Sequence, residues 1–183
     1  MIEKRRKPLL GSHAKHILIL GVGNLLLSDE GVGVHVAQRM MHMELPPEVH
    51  VVEGGTDGFG LVNVILGADR MILIDAVKGG GQPGSIYRFD IDDCPPYPDL
   101  FKTSVHQISI LEVINLSSLI GSTPQTTIIG IEPHCLDMGM ELSPQIEAKI
   151  PKIIQMVQEE VEISLGQKQD LSLPKDRCSR QYQ

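Results

Sequence analysis

The sequence has no long run of apolar residues. A membrane-spanning helix needs roughly 18 to 20 consecutive apolar residues, whereas the best apolar stretches here are residues 17–23 and 71–75. We therefore expect no membrane insertion. The chain has 183 residues, of which 42% are hydrophobic and 21% are charged. This composition is typical of one folded globular domain rather than a disordered chain.

Cysteines are few and lack a pairing pattern. Cys94, Cys135 and Cys178 are widely spaced, and the chain contains no CxxC pair. An odd number of isolated cysteines argues against a disulfide framework and fits reduced thiols. The sequence therefore predicts a cytoplasmic protein.

Positive charge is scarce in the central part of the chain. The whole chain has 16 Lys and Arg against 23 Asp and Glu. Residues 1–16 hold five basic and one acidic side chain, and residues 167–183 hold four and two, which leaves 7 − 20 = −13 for residues 17–166. A region this acidic repels a phosphate backbone and attracts cationic peptides or metal ions. We expect no nucleic-acid partner.

Short apolar runs alternate with segments of helical periodicity. Strands are predicted at residues 16–20, 49–52, 71–77, 85–89 and 126–131. Helices are predicted at residues 30–43, 59–66, 105–119 and from 143 onwards. Continuous apolar strands separated by helices indicate a parallel sheet that is covered on both faces. The strand at 85–89 follows the turn-rich sequence GGGQPG and is predicted to be antiparallel.

The predicted fold is therefore an α/β three-layer sandwich, in which a mixed, mainly parallel sheet of about five strands lies between helices. We divide the chain into a basic arm (1–16), a single domain (17–166) and a mobile tail (167–183). In the last helix Ser143 is predicted to cap the first turn, and Pro151 is predicted to kink or split the helix.

The glycine-rich turn after the first strand does not fit a nucleotide site. The dinucleotide pattern G-x-G-x-x-G begins with Gly21 and Gly23, but Leu26 stands where the third glycine is needed. Asp29 and Glu30 follow at the helix start, where two carboxylates would repel a phosphate. One of them is expected to cap the helix while the other projects into a cleft. The chain also lacks the G-x-S-x-G, P-loop and H-E-x-x-H motifs of common hydrolases.

Three residues that could bind a metal follow separate elements of the predicted sheet. Glu30 lies after the first strand, Asp75 ends an apolar strand, and His106 begins a helix. Each alone has an ordinary structural role as a cap or hydrogen-bonding group. Together they lie at the edge where parallel sheets place their ligand sites, and they suit nickel, zinc or manganese. Glu53, at the end of the second strand, could add a carboxylate.

Five motifs occur in an order that resembles the hydrogenase maturation endopeptidases. In chain order they are GVGNLLLSDEGVG, EGGTDG, LIDAVKGGGQPGS, SVHQISILEVI and IGIEPHCLDMGMELSP. The resemblance covers roughly residues 17–165. It implies a cytoplasmic protease that removes a C-terminal peptide from the precursor of a nickel-iron hydrogenase large subunit after nickel insertion. It also implies a mixed, mainly parallel sheet between helices.

The resemblance also implies roles for particular residues. Glu30, Asp75 and His106 match the positions with which this family contacts nickel. In the family the nickel arrives with the substrate and acts as the recognition element, so no tightly bound metal is expected in the free enzyme. Glu53 departs from the usual Asp by one methylene, and we predict it as a further catalytic carboxylate. The oligomeric state is not predicted.

Two other functions use the same residues. A non-catalytic chaperone could bind the nickel-containing precursor without cutting it. A metal-dependent hydrolase of small substrates would hold its own metal after purification. Asp29 and Glu53, which simple binding does not require, favour the protease.

Overall fold

The computed structural model describes residues 15–93, 110–121, 123–166 and 180–182. In these ranges the strands are β1 Ile17–Val22, β2 Val49–Gly55, β3 Arg70–Ala76, β4 Ile86–Asp90, β5 Gln125–Ile131 and β6 Arg180–Tyr182. The helices are α1 Val32–Met40, α2 Val62–Leu66, α3 Ile110–Ile120, α4 Pro144–Glu147 and α5 Ile150–Ser164. Among these helices, none combines the length and hydrophobicity that crossing a bilayer requires.

The strands form one mixed sheet with the order β2-β1-β3-β5-β4-β6. The first four of these run parallel, and β4 lies antiparallel to β5, as its sequence predicted. The predicted mainly parallel sheet is confirmed. The sequence predicted residues 126–131 as the last strand of the chain, and this is wrong, because a further strand, β6, follows and pairs with β4. Edge strands carry unpaired backbone groups that accept another strand.

Side-chain alternation along the strands divides the core into two halves. On one face the strands pack against α1 and α5, through residues that include Ile19, Ile72, Ile129, Val36 and Ile153. On the other face they pack against α2 and α3, through residues that include Leu20, Leu73, Ile128, Ile65 and Val113. Because both faces are covered, the middle residues of the central strands are apolar on both sides, as in residues 71–74 of β3. The predicted three-layer sandwich is confirmed.

Glycines allow α1 to lie directly on the ends of β1 and β3. A Cβ atom at Gly33 would lie 2.1 Å from the Ile74 carbonyl oxygen and 2.4 Å from that of Val22. A Cβ at Gly21 would lie 2.0 Å from the Gly33 carbonyl oxygen. Real side chains do not tolerate such distances. The glycines of the GVGN…GVG sequence therefore set the separation between helix and sheet, rather than cradling a phosphate.

The C-terminal helix is split, as Pro151 predicted. The break precedes the proline: α4 ends at Glu147, and Pro151 lies in the first turn of α5. In that turn the missing N–H of proline costs nothing, because first-turn N–H groups have no partner within the helix. Ser143 caps α4, since its hydroxyl accepts a hydrogen bond from the Ile146 amide at 3.4 Å.

Some predictions concern residues outside the described ranges. His106, Cys94 and Cys178 belong to this group, as do residues 105–109 of the predicted third helix. The division of the chain into arm, domain and tail stays a prediction, although residues 180–182 of the predicted tail form β6.

Candidate active site

Asp75 lies at the carboxyl end of β3, one residue before the strand ends. Alternation along the strand puts it on the same side as Leu73, which faces α3. The side chain is half-buried, and loss of hydration raises its pKa from 3.8 to about 8. A backbone hydrogen bond at Ala76 acts against the rise, and the negative charge of Glu30 adds to it. Asp75 therefore retains a proton at neutral pH when no cation is near.

Glu30 lies in a 3-10 turn, Ser28–Gly31, that joins the loop after β1 to α1. Its side chain is 1% exposed. Gly23 holds this turn close to β1, because its φ of +130° suits glycine and a Cβ there would lie 1.9 Å from the Glu30 carbonyl oxygen. The fold brings Glu30 near enough to Asp75 for its negative charge to raise the pKa of Asp75. The role of the two carboxylates as metal ligands stays a prediction.

The topology directs the start of α3 towards Asp75. α3 ends at Ile120, and β5 begins shortly after at Gln125, on the edge where the parallel strands start. The 11 residues of α3 extend about 16 Å at 1.5 Å per residue back towards the edge where those strands end. His106 precedes the first residue of α3 by four positions (110 − 106) and lies outside the described residues.

Glu53 lies on the other face of the sheet from Asp75. It is exposed, and its carboxylate accepts a hydrogen bond from Gln38 of α1 at 3.1 Å. A bulge in β2 follows it, since Gly21 pairs with Glu53 but Val22 pairs with Gly55. The described contacts thus join Glu53 to α1 and do not join it to Asp75. Its catalytic role stays a prediction.

Comparison with known proteins identifies the family. Residues 34–160, more than half of the chain, match the hydrogenase maturation protease family. This chain belongs to that family. Hydrogenase expression/formation protein HupD of Thiocapsa roseopersicina is 38% identical over 146 residues, which cover 78% of this chain and 66% of that protein. Hydrogenase 2 maturation protease of Escherichia coli is 33% identical over 146 residues, covering 77% and 87%.

A solved structure agrees with this assignment. The hydrogenase maturating endopeptidase HybD from E. coli superposes with a TM-score of 0.72 at 32% identity, covering 81% of this chain and 93% of that one. The chain is thus a hydrogenase maturation protease in sequence and in fold. Within the described residues, no group of three or more His, Cys, Asp and Glu side chains is arranged to hold a metal ion. Glu30 and Asp75 are two suitable oxygen donors.

Asp29 of this protease has a structural role that the sequence only partly revealed. It is completely buried and does not cap α1. Its carboxylate accepts hydrogen bonds from the amides of His134, Cys135 and Ser143 at 3.0, 2.8 and 2.7 Å, and from the Ser143 hydroxyl at 2.9 Å. Asp29 thus fastens the loop after β5 to the turn that carries Glu30.

Glu132 holds the loop that follows Asp75, and the sequence analysis did not identify it. Its buried carboxylate accepts hydrogen bonds from the Gly79 amide at 2.8 Å, the Gly81 amide at 3.2 Å and the Tyr87 hydroxyl at 2.8 Å. Glu132 could have been found from the sequence, because it is an acidic residue directly after an apolar strand. The same pattern identified Asp75.

Asp75→Asn is expected to remove a pH-dependent loss of stability. Because the folded-state pKa, about 8, lies above the usual 3.8, the free energy of unfolding of the wild type falls between about pH 4 and pH 8 and levels off above. Asparagine resembles the protonated acid and never ionises, so the variant should be the more stable protein at alkaline pH. Urea unfolding of the metal-free proteins across this range measures both curves. Parallel curves would contradict the expectation.

Proposed function

We propose that this protease removes a C-terminal peptide from the precursor of a nickel-iron hydrogenase large subunit after nickel has been inserted. The nickel of the substrate is the feature that it recognises. The observation that carries the proposal is the proximity of Glu30, in the turn before α1, to Asp75, at the carboxyl end of β3, in a member of this protease family. Clustered carboxylates are costly to hold together unless a cation or a proton compensates their charge.

Glu30 and Asp75 are proposed to coordinate the nickel of the substrate, together with His106. Two oxygen donors and one imidazole nitrogen, with open positions, suit a divalent ion of this hardness. Asp75 must lose its proton to bind the metal, so coordination exchanges a proton for a cation. A nickel ion held in this way aligns the neighbouring polypeptide, and correct alignment alone can remove much of the barrier to hydrolysis.

Glu53 is proposed as a further carboxylate of the catalytic machinery that acts on the substrate from the β2 side of the edge. Its side chain is exposed and contacts Gln38 of α1. We therefore propose that Glu53 contacts the bound polypeptide and does not coordinate the metal. We also propose that the reaction takes place in the cytoplasm. The isolated cysteines of the chain support that compartment.

The test is to incubate the purified protease with nickel-loaded and with metal-free precursor and to read the mass of the precursor by mass spectrometry. We expect loss of a defined C-terminal peptide from the loaded form only. Glu30→Gln and His106→Ala should abolish the cleavage, because each removes a nickel ligand. Glu44→Gln is the matched control, since Glu44 is exposed beyond the end of α1, and it should cleave like the wild type.

Other outcomes separate the competing functions. Equal cleavage of the metal-free precursor would rule out nickel as the recognition element. Tight binding of the loaded precursor with no mass change would make the chain a chaperone. Glu53→Gln should lower kcat while leaving the binding of the loaded precursor unchanged, and an unchanged kcat would remove Glu53 from the catalytic set.

A further inference from the structure

Three exposed apolar side chains lie together beside the candidate active site. Leu26, Met138 and Met140 are 57%, 87% and 65% exposed, and we call them the apolar patch. Their backbones are paired: the Gly139 amide donates to the Leu26 carbonyl at 3.0 Å, and Leu27 and Gly139 form a parallel β-bridge. Isolated exposed apolar residues are ordinary, whereas a cluster marks an interaction surface.

The bridge places the three residues next to one another in the fold. Leu26 precedes one member of the bridge, Leu27, and the two methionines flank the other member, Gly139. Methionine is flexible and polarizable, and it adapts to partners of irregular shape.

The apolar patch lies close to the proposed site along the chain. Leu26 precedes Glu30 by four residues (30 − 26), which limits their separation to about 14 Å at 3.3 to 3.6 Å per residue. The loop that carries the methionines is fixed to the same turn by Asp29. An extended peptide of about four residues spans the distance from the patch to Glu30.

The surroundings of the apolar patch are acidic. Asp137 and Glu141 flank the methionines and are exposed. The two segments that carry the apolar patch, residues 23–31 and 132–143, contain no Lys or Arg. A second copy of the chain or an anionic lipid surface would therefore meet like charge here, whereas a basic polypeptide would be attracted.

We propose that the apolar patch docks an extended segment of the precursor that carries both apolar and basic side chains, next to the nickel-contacting residues. This inference rests on the proposed function. It adds a second recognition element: the nickel reports that the precursor is loaded, and the patch binds its polypeptide. Apolar contacts supply the affinity, and the acidic border supplies orientation and the rate of association.

The test compares the double variant Met138→Ser, Met140→Ser with Leu119→Ser. Leu119 is 84% exposed and lies near the end of α3, away from the proposed site. With nickel-loaded precursor as the probe, we expect the KM of the double variant to rise about 10-fold with kcat unchanged, and Leu119→Ser to match the wild type. Asp137→Asn with Glu141→Gln should raise KM and reduce its dependence on salt. Equal KM values in the double variant and the control would overturn the proposal.

Direct titration of loaded precursor separates this inference from the proposed function. If the wild type binds without cutting and the double variant binds about 10-fold more weakly, the docking surface stands and proteolysis fails. If the wild type cuts and the double variant binds equally well, proteolysis stands and the docking surface fails. A wild type that dimerises, with the double variant monomeric, would assign the patch to a second copy and overturn the proposal.

Discussion

Replacing Gly33 by alanine is expected to lower the free energy of unfolding by about 3 kcal/mol or more. The added methyl would lie 2.1 Å from the Ile74 carbonyl oxygen and 2.4 Å from that of Val22. Both oxygens belong to the sheet, so they can move only if β1 and β3 part from their neighbours. Since globular domains are stable by about 5–15 kcal/mol, this change removes a large share of the total.

The same substitution is expected to reduce the activity of any protein that still folds. α1 would have to move away from the sheet, and the turn with Glu30 would move with it. Urea unfolding gives the change in stability, and precursor cleavage gives the change in activity. Gly67→Ala is the matched control, because the nearest atoms to its added methyl lie at 3.6 Å, and its stability should stay within about 1 kcal/mol of the wild type. Equal stability of the two variants would contradict the expectation.

Asp29→Ala is expected to cost about 3 to 5 kcal/mol of stability. The truncation removes the acceptor for three backbone amides and one hydroxyl of the partly buried segment after β5. Each buried donor left without an acceptor costs about 1 to 3 kcal/mol. Asp29→Asn should be less harmful, because its amide oxygen can keep the three bonds made by Oδ2, while its NH₂ group faces the Ser143 amide.

The thermal unfolding temperature should therefore be highest for the wild type, lower for Asp29→Asn and lowest for Asp29→Ala. Asp57→Asn is the control, since Asp57 is exposed and accepts a hydrogen bond from the Gly60 amide at 3.2 Å. The folded Asp29→Asn protein should also bind nickel-loaded precursor more weakly, because the loop that carries the apolar patch is no longer fixed. An Asp29→Ala protein as stable as Asp57→Asn would show that the loop stays in place without Asp29.

Several features of this protease follow from local sequence. The end of an apolar run located Asp75, because a parallel sheet exposes its carboxyl edge whatever the details of its packing. The turn-rich sequence before residues 85–89 predicted the antiparallel strand, which pairs with β5. Pro151 predicted the division between α4 and α5, because proline lacks the N–H that a helix interior requires.

Other features depend on contacts between distant parts of the chain. The partners of Asp29 lie 105 to 114 residues away, so its sequence neighbours suggested a helix cap instead. The side of the sheet on which Glu53 lies depends on strand register, and one residue of slip would reverse it. The pairing of β6 with β4 requires an edge strand that is identified only when the whole sheet is known.

The sequence by itself thus determined the three layers of this protein and the edge of the sheet, at the carboxyl ends of the parallel strands, where the candidate active site lies. Both depend on periodicity and on glycine and proline positions, which act over a few residues. Only the tertiary structure decided how Glu30 and Asp75 meet and which carboxylates hold the surrounding loops. These depend on close helix–strand contact at Gly33 and on hydrogen bonds between segments that are remote in the chain. Such contacts form only when the complete fold brings the segments together.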